Sequence, residues 1–191
     1  MSLERVRFLV VDDNVHMVNI VKTILRGFGA KVFYDASDAV DALDRVRHDP
    51  IDMIICDYHM PVMDGIDFVK LVRTSADCPN PYVPIIMLTA HTERSRVATA
   101  RDAGITEFCA KPVTALELYR KIANVINRPR MFVSTPTYTG PCRRRADRPF
   151  QGPDRRGQGA PAQKVQVAVA NSEEAEMAQW EAMGGNGGGW D

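Results

Sequence analysis

A repeated alternation of short apolar runs with amphipathic stretches is the feature that most constrains the fold of this chain. Between Arg7 and Asn127 the alternation occurs five times. Each apolar run is too short for a buried helix and reads as a buried strand, and the stretch after it has helical spacing. Strands that alternate with helices predict a parallel sheet wound on both faces by right-handed crossovers. The fold class that we expect is α/β, a doubly wound (βα)5 parallel sheet of five strands, with Leu9, Ile54 and Ile86 in its core.

Turn and capping residues set the predicted boundaries of these elements. The predicted strands are Arg7–Val11, Lys31–Tyr34, the run Ile51–Asp57, Pro84–Leu88 and Glu107–Ala110. The predicted helices are His16–Phe28, a helix capped by Ser37, Gly65–Thr74, Glu93–Ala103 and a helix capped by Thr114 that ends at about Asn127.

Composition excludes several classes of protein. The 191 residues carry no formal net charge, so the chain as a whole has no bias towards polyanions, although arginines crowd the segment after Asn127. Four cysteines lack metal-binding spacing, which favours a reduced protein of the cytoplasm. We expect no membrane insertion, because there is no signal-peptide pattern and no apolar run of the roughly 20 residues that a bilayer requires.

Polar side chains follow four of the predicted strands. Asp12 and Asp13 follow the first strand, Asp57 the third, Thr89 the fourth and Lys111 the fifth. The carboxyl ends of parallel strands lie side by side, which is where open α/β sheets bind ligands. Three carboxylates would repel one another, and Mg²⁺ would relieve that repulsion while accepting phosphate oxygens. Each residue alone has an ordinary alternative as a helix cap or a solvated lysine. Their joint placement favours a site at which Asp57 is phosphorylated.

The motifs that contain these residues identify a family. Val10–Asp13, Cys56–Gly65, Leu88–Ala90 and Lys111–Pro112 resemble the motifs of CheY-like response regulator receiver domains, over about Glu4 to Asn127. The resemblance implies a CheY/flavodoxin-like fold and a phosphoacceptor protein that is not an enzyme. It also implies that a histidine kinase or phosphotransferase supplies the phosphoryl group.

The same resemblance implies roles for the individual residues. Asp13, Asp57 and the main-chain carbonyl of His59 would bind Mg²⁺, and Asp12 would hold a metal-bound water. Thr89 and Lys111 would stabilise the phosphoryl group, and Phe108 would be the aromatic switch residue. In the family the Lys111–Pro112 peptide bond is usually cis, and X-Pro is the common place for a cis bond.

A short repeat distinguishes the segment after the receiver. Gly-Pro-x-Arg-Arg begins at Gly140 and again at Gly152, and an aromatic residue, Tyr138 or Phe150, lies two positions before each glycine. Arginine forks suit phosphate and guanine edges, and aromatic rings stack on bases. A small ligand with two guanines and two phosphates is cyclic di-GMP. The segment resembles the arginine-rich tail of the CheY-like cyclic di-GMP effectors, the Cle group. The predicted binding residues are Tyr138, Arg143, Arg144, Arg145, Asp147, Arg148, Phe150, Asp154, Arg155 and Arg156.

We therefore predict three segments. Residues 1–127 form the receiver domain, residues 128–163 an arginine-rich ligand-binding tail or linker, and residues 164–191 a flexible end with a short strand and a short helix. The tail is expected to be largely disordered, with Tyr138–Arg156 ordering only around its ligand.

The predicted output is contact with another protein, such as the flagellar motor switch or a component of surface attachment. Two alternatives remain open from the sequence: a phosphorelay intermediate with an inert basic tail, and a regulator that binds nucleic acid through its arginines. Carboxylates at Asp147 and Asp154 would weaken generic phosphate binding. No helix-turn-helix pattern is present in the sequence, so we expect no sequence-specific DNA binding.

Overall fold

A computed structural model of the chain describes residues 3–90, 102–135, 138–142 and 163–165. The strands are β1 (Arg7–Val11), β2 (Val32–Ala36), β3 (Met53–Asp57), β4 (Ile85–Thr89), β5 (Glu107–Ala110), β6 (Phe132–Thr135), β7 (Tyr138–Pro141) and β8 (Gln163–Val165). The helices are α1 (Val15–Gly27), α2 (Ala39–His48), α3 (Gly65–Thr74) and α4 (Ala115–Asn127). The predicted helix Glu93–Ala103 falls almost entirely outside the described residues. In the described part of the chain, no helix combines the length and apolarity that a bilayer span requires.

The first five strands form one parallel sheet in the order β2-β1-β3-β4-β5. This confirms the predicted doubly wound fold. The order reverses between β1 and β3, so the carboxyl ends of these strands border a crevice. In the sheet register Val11 lies opposite Cys56, and Asp57 lies opposite Leu88.

Two apolar layers cover the two faces of this sheet. Along β1, Leu9 and Val11 face the layer that includes α2 and α3, whereas Phe8 and Val10 face the layer that includes α1 and α4. This alternation is the period-two geometry of a strand buried on both faces. Leu9, Ile54 and Ile86 are fully buried, as predicted.

Side-chain caps begin the four helices. Asn14, Asp64 and Thr114 each accept a hydrogen bond from a backbone N–H in the first turn of their helix. The prediction that Ser37 caps α2 is wrong. The cap is Asp38, whose Oδ1 accepts from the N–H groups of Val40 and Asp41 at 2.8 and 2.9 Å. A carboxylate there also interacts favourably with the helix dipole, which a hydroxyl cannot do as strongly.

A second, three-stranded antiparallel sheet follows the receiver in the order β7-β6-β8. Tyr138–Pro141, at the start of the segment predicted to be largely disordered, forms β7. The short strand predicted within residues 164–191 is present in part as β8, and the short helix predicted there lies outside the described residues. Because β7 and β8 both run antiparallel to β6 on opposite edges, they run parallel to each other.

Arg73 of α3 explains why this second sheet packs on the receiver. Its side chain is buried and donates hydrogen bonds to the carbonyls of Gly104 at 3.1 Å and Pro81 at 2.8 Å. The guanidinium lies 5.2 Å from the ring centroid of Phe132, within cation–π range. Burial lowers the pKa of Arg73 to about 9, which leaves it charged at neutral pH.

A close backbone approach completes this contact. Gly104 has a φ of +99°, and a Cβ there would lie 2.7 Å from the carbonyl oxygen of Thr139 in β7. The absence of a side chain at Gly104 therefore lets the hairpin lie directly against the loop before β5. The second sheet thus packs at the amino-terminal ends of β4 and β5, at the opposite end of the strands from Asp57.

Candidate functional site

Asp57 ends β3 and lies almost buried at the carboxyl edge of the parallel sheet, with 6% of its surface exposed. Its Oδ1 accepts a hydrogen bond from the N–H of Tyr58 at 2.7 Å. The Nζ of Lys111 lies 2.9 Å from the same oxygen. Within the described residues, Oδ2 of Asp57 has no hydrogen-bond partner. The two oxygens of one carboxylate therefore differ: Oδ1 is held by two donors and Oδ2 is available.

Lys111 joins two of the predicted site residues. Its Nζ also donates to Oδ2 of Asp12 at 3.1 Å. Burial alone would lower the pKa of Lys111, but the hydrogen bonds and charges of Asp57 and Asp12 outweigh burial, and the pKa is raised. The main chain places this side chain, because the N–H of Lys111 donates to the carbonyl of Thr89 at 2.8 Å. The Lys111–Pro112 peptide bond is cis, as the resemblance implied.

Asp12, Asp13 and Asp57 offer carboxylate oxygens that all lie within 4.8 Å of one another. Asp12 is buried and Asp13 is exposed, so the cluster opens to solvent on one side. Burial raises the pKa of Asp12, the charge of Asp57 adds to this effect, and the N–H of Asn14 and the cation of Lys111 oppose it. A hard divalent cation such as Mg²⁺ suits this donor set, because its oxygens are anionic and one face is open to water.

The loop after β3 folds back against the site at Gly65. The N–H of Gly65 donates to the carbonyl of Tyr58 at 2.9 Å. A Cβ at Gly65 would lie only 2.3 Å from the carbonyl oxygen of Asp57. Any other residue at this position would require the backbone to shift. This close approach explains why the motif that contains Asp57 ends in a glycine. Within the same loop, Val62 has a φ of 71° and its side chain is 99% exposed.

The other predicted receiver residues lie around this centre. Thr89 is buried at the end of β4, one position beyond the residue paired with Asp57. Phe108 is half-buried in β5 opposite Met87 and packs against the core layer that includes α2 and α3. The exposed ring of His59 stacks beside that of Tyr58, with 5.9 Å between centroids. The structure thus assembles Asp12, Asp13, Asp57 and Lys111 in direct contact or near contact.

Most of the predicted ligand-binding residues of the tail lie outside the described residues. These are Arg143, Arg144, Arg145, Asp147, Arg148, Phe150, Asp154, Arg155 and Arg156. Tyr138 is described. Its hydroxyl donates to the carbonyl of Pro141 at 2.9 Å, and both residues belong to β7. Its polar end is therefore used inside the second sheet.

Two structural roles, one at the site and one at the contact with the second sheet, were not predicted from the sequence. The N–H of Tyr58 holds Oδ1 of Asp57, and a backbone donor has no signature in a sequence. Arg73 joins the receiver to the second sheet. The signal for Arg73 was present, because it lies four residues after Val69 and next to Val72, on the buried side of α3.

Comparisons with known proteins agree with this geometry. The family model described as the response regulator receiver domain matches residues 8–123. The chemotaxis protein CheY-3 of Vibrio cholerae serotype O1 is 34% identical over 125 residues, which cover 65% of this chain and 95% of that protein.

Solved structures are similar as well. The chemotaxis protein CheY4 of Vibrio cholerae has a TM-score of 0.59 at 30% identity, with 63% of this chain and 98% of that chain covered. The receiver domain of the sensor histidine kinase PA1611 of Pseudomonas aeruginosa, solved with magnesium in its active-site cleft, has a TM-score of 0.55 at 27% identity. It covers 62% of this chain and 94% of that chain. The family match spans more than half of the sequence, and the chain belongs to the response regulator receiver domain family as a CheY-like regulator of two-component signalling.

Proposed function

We propose that Asp57 accepts a phosphoryl group from a histidine kinase or phosphotransferase, and that the arginine-rich segment binds cyclic di-GMP as a second input. The observation that carries the first half is the unequal environment of the two Asp57 oxygens. Oδ1 is fixed by Lys111 and the Tyr58 N–H, and Oδ2 is available as a nucleophile.

In the proposed reaction Oδ2 attacks the phosphorus of a phosphorylated imidazole. A P–O bond forms and the P–N bond breaks, and the leaving nitrogen keeps the electron pair and is protonated by solvent. Lys111 stays charged throughout, because its pKa is raised by the two carboxylates. Its cation, 2.9 Å from Oδ1, is positioned to stabilise the negative charge that the new phosphoryl oxygens bring. The hydroxyl of Thr89 at the end of β4 would hydrogen-bond one of those oxygens.

Asp12, Asp13 and Asp57, with the main-chain carbonyl of His59, would hold Mg²⁺. Bound there, the ion would supply positive charge to the phosphoryl oxygens and offset the repulsion among the three carboxylates. The PA1611 receiver domain with magnesium in its cleft supports this assignment.

The test of the first half uses a small phosphodonor with Mg²⁺ and a phosphate-affinity gel or intact mass. Wild type should gain one phosphoryl group, and Asp57→Asn should gain none. Asp67→Asn is the matched control, because Asp67 is an exposed carboxylate on the helix that follows the same loop. Modification of Asp57→Asn at the wild-type rate would show that another residue accepts the group.

The second half of the proposal is supported by the repeated Gly-Pro-x-Arg-Arg unit with its aromatic residues. Arg144 and Asp147 would recognise guanine, Arg145, Arg155 and Arg156 would contact phosphate or stack, and Phe150 would contact a base face. The remaining members of the set are Arg143, Arg148 and Asp154. Tyr138 would contact a base through its ring face alone, because its hydroxyl donates a hydrogen bond to the carbonyl of Pro141. The output would be contact with another protein, such as the flagellar motor switch.

Calorimetry on the full chain separates the candidate functions of this segment. Cyclic di-GMP should bind more tightly than GTP or single-stranded RNA. Arg144→Ala and Asp147→Ala should each lose roughly 1–3 kcal/mol of binding free energy for cyclic di-GMP, the scale of a bidentate base contact. The control Arg47→Ala, on α2, should bind cyclic di-GMP with wild-type affinity. Equal affinity for RNA would favour the nucleic-acid regulator. No binding of any of the three ligands would favour a phosphorelay intermediate with an inert tail.

A further inference from the structure

Two elements of the receiver, α3 and β5, each connect the Asp57 site with the second sheet. The helix α3 has ten residues, and a Cβ at its first residue, Gly65, would lie only 2.3 Å from the carbonyl oxygen of Asp57. The residue before its last is Arg73, whose guanidinium lies over the ring of Phe132. A helix of this length spans about 15 Å. One rigid element therefore has one end at the phosphorylation site and the other at the second sheet.

The strand β5 makes the second connection. Lys111, directly after its last residue, places Nζ 2.9 Å from Oδ1 of Asp57. Gly104 lies in the loop before its first residue, and the carbonyl of Gly104 accepts a hydrogen bond from Nε of Arg73 at 3.1 Å. The strand thus begins beside the arginine that binds the second sheet and ends at the cation that holds Asp57.

The second sheet lies in direct backbone contact with the loop before β5. A Cβ at Gly140 of β7 would lie 2.7 Å from Cα of Gly104, and a Cβ at Gly104 would lie 2.7 Å from the carbonyl oxygen of Thr139. No side chain separates the two backbones. Packed protein interiors have low compressibility and transmit strain. A shift of the loop before β5 therefore displaces β7, and a displacement of β7 frees that loop.

Phosphorylation of Asp57 would change the position that Lys111 favours. Its Nζ bonds Oδ1 of Asp57 at 2.9 Å and Oδ2 of Asp12 at 3.1 Å. Phosphoryl oxygens on Oδ2 of Asp57 would attract this cation more strongly, because they carry more negative charge. Lys111 and the end of β5 would then shift towards them. The second sheet holds the other end of the same strand and opposes this shift.

From these contacts we infer that the second sheet inhibits phosphorylation. While it is packed on Arg73 and Gly104, it lowers the affinity of the Asp57 site for a phosphoryl group, and phosphorylation in turn loosens that packing. Both effects have the same coupling free energy, because linkage between two sites is reciprocal. The inference rests on the proposed phosphorylation of Asp57, and it requires no ligand of the arginine-rich segment.

The first test is nuclear magnetic resonance of the full chain with Mg²⁺ and beryllofluoride, a tetrahedral analogue of the phosphoryl group that binds to carboxylates. The analogue should shift the backbone amide of Tyr58, which is next to Asp57. At the same concentrations it should shift the amides of Phe132 and Thr139 in the second sheet. Hydrogen exchange of the β6 amides should become faster, because the packing of the second sheet is loosened.

The second test measures the affinity for beryllofluoride in two variants that leave every receiver residue unchanged. Phe132→Ala removes the ring at the contact, and Gly140→Ala adds a Cβ where the two backbones meet. Each should raise the affinity by about fivefold or more, the lower end of allosteric couplings. The matched controls are Met131→Ala and Gly27→Ala, because Met131 is exposed and a Cβ at Gly27 would meet nothing within 4 Å. Both controls should bind with wild-type affinity.

A rise in affinity distinguishes inhibition from damage, since partial unfolding would lower the affinity. Wild-type or lower affinity in Phe132→Ala and Gly140→Ala would overturn the inference, and either variant alone decides if the other does not fold. Amides of Phe132 and Thr139 that stay unchanged while Tyr58 responds would also overturn it and would leave the proposed function intact. If the Tyr58 amide does not respond either, the proposed phosphorylation fails and the inference fails with it.

Discussion

Replacing Phe132 with alanine tests how firmly the second sheet is joined to the receiver. The Phe132 side chain is 2% exposed, meets Tyr82 edge-on at 5.8 Å and lies under the guanidinium of Arg73. Truncation of a buried phenylalanine costs about 3–5 kcal/mol of unfolding free energy. Loss of the cation–π contact belongs to that cost, and it leaves the buried charge of Arg73 less well solvated.

The assay is urea unfolding of the full chain followed by circular dichroism. A second protein, truncated after Asn127, is unfolded in the same way. The difference in unfolding free energy between it and the full chain is the largest loss that we expect if the mutation only detaches the second sheet. Met131→Ala is the control, because Met131 is the adjacent residue and is 39% exposed. It should change stability by no more than about 0.5 kcal/mol.

A double-mutant cycle isolates the contact between Phe132 and Arg73. Arg73→Met keeps an unbranched apolar side chain in place of the guanidinium. The coupling free energy in the cycle should be roughly 0.5–2 kcal/mol, the range of cation–π pairs. If Phe132→Ala costs less than about 0.5 kcal/mol, as a surface substitution would, the packing of the second sheet on Arg73 is refuted.

Four further changes have expected outcomes around the Asp57 site. Val62→Gly should raise the unfolding free energy by roughly 1 kcal/mol in urea unfolding, because it relieves a positive φ at a side chain that packs on nothing; lower stability would contradict the strain. Gly65→Ala should lower stability by about 1–3 kcal/mol and slow phosphorylation, because its Cβ meets the Asp57 carbonyl; wild-type behaviour in both would contradict it. Asp13→Asn should weaken Mg²⁺ affinity more than Thr89→Ala in chemical-shift titrations, since only the carboxylate would bind the ion directly; equal affinities would contradict the metal assignment. Lys111→Met should lower the unfolding free energy by about 2 kcal/mol without Mg²⁺, because it leaves two nearly buried carboxylates without their cation. With Mg²⁺ the loss should be much smaller, and a loss that the ion does not change would contradict this reasoning.

The receiver could be predicted from its sequence because its strands are buried on both faces. Runs such as Met53–Asp57 leave few other interpretations once helical stretches lie between them, and the parallel order then brings Asp12, Asp57 and Lys111 to one edge. The finer geometry could not be predicted. Which oxygen of Asp57 is held depends on the Tyr58 N–H and on the position of Lys111 Nζ, and both are set by packing.

Apart from a part of β8, the second sheet could not be predicted, for a different reason. Its strands are three or four residues long, and short strands have almost no periodicity to detect. Phe132 becomes a buried residue only because Arg73 and Tyr82, distant in sequence, form the surface on which it packs. The cap of α2 was misplaced by one residue because Ser37 and Asp38 are both good caps, and backbone geometry decides between them.

The parallel arrangement of β7 and β8 changes the polymer physics of the residues between them. Both strands pair with β6, so their backbones lie about 10 Å apart, twice the spacing of neighbouring strands. A free flexible chain of the same twenty residues would have a root-mean-square span of roughly 25 Å. The fold therefore holds the two ends of residues 143–162 close together, so this segment is not a tail with a free end. The entropic cost of bringing the two ends together is incurred when β8 pairs with β6, before any ligand binds. Doubling the length of the segment would add only about 0.6 kcal/mol to that cost. A single backbone cut in the loop would restore that entropy, and a ligand that contacts both halves would then have to overcome it.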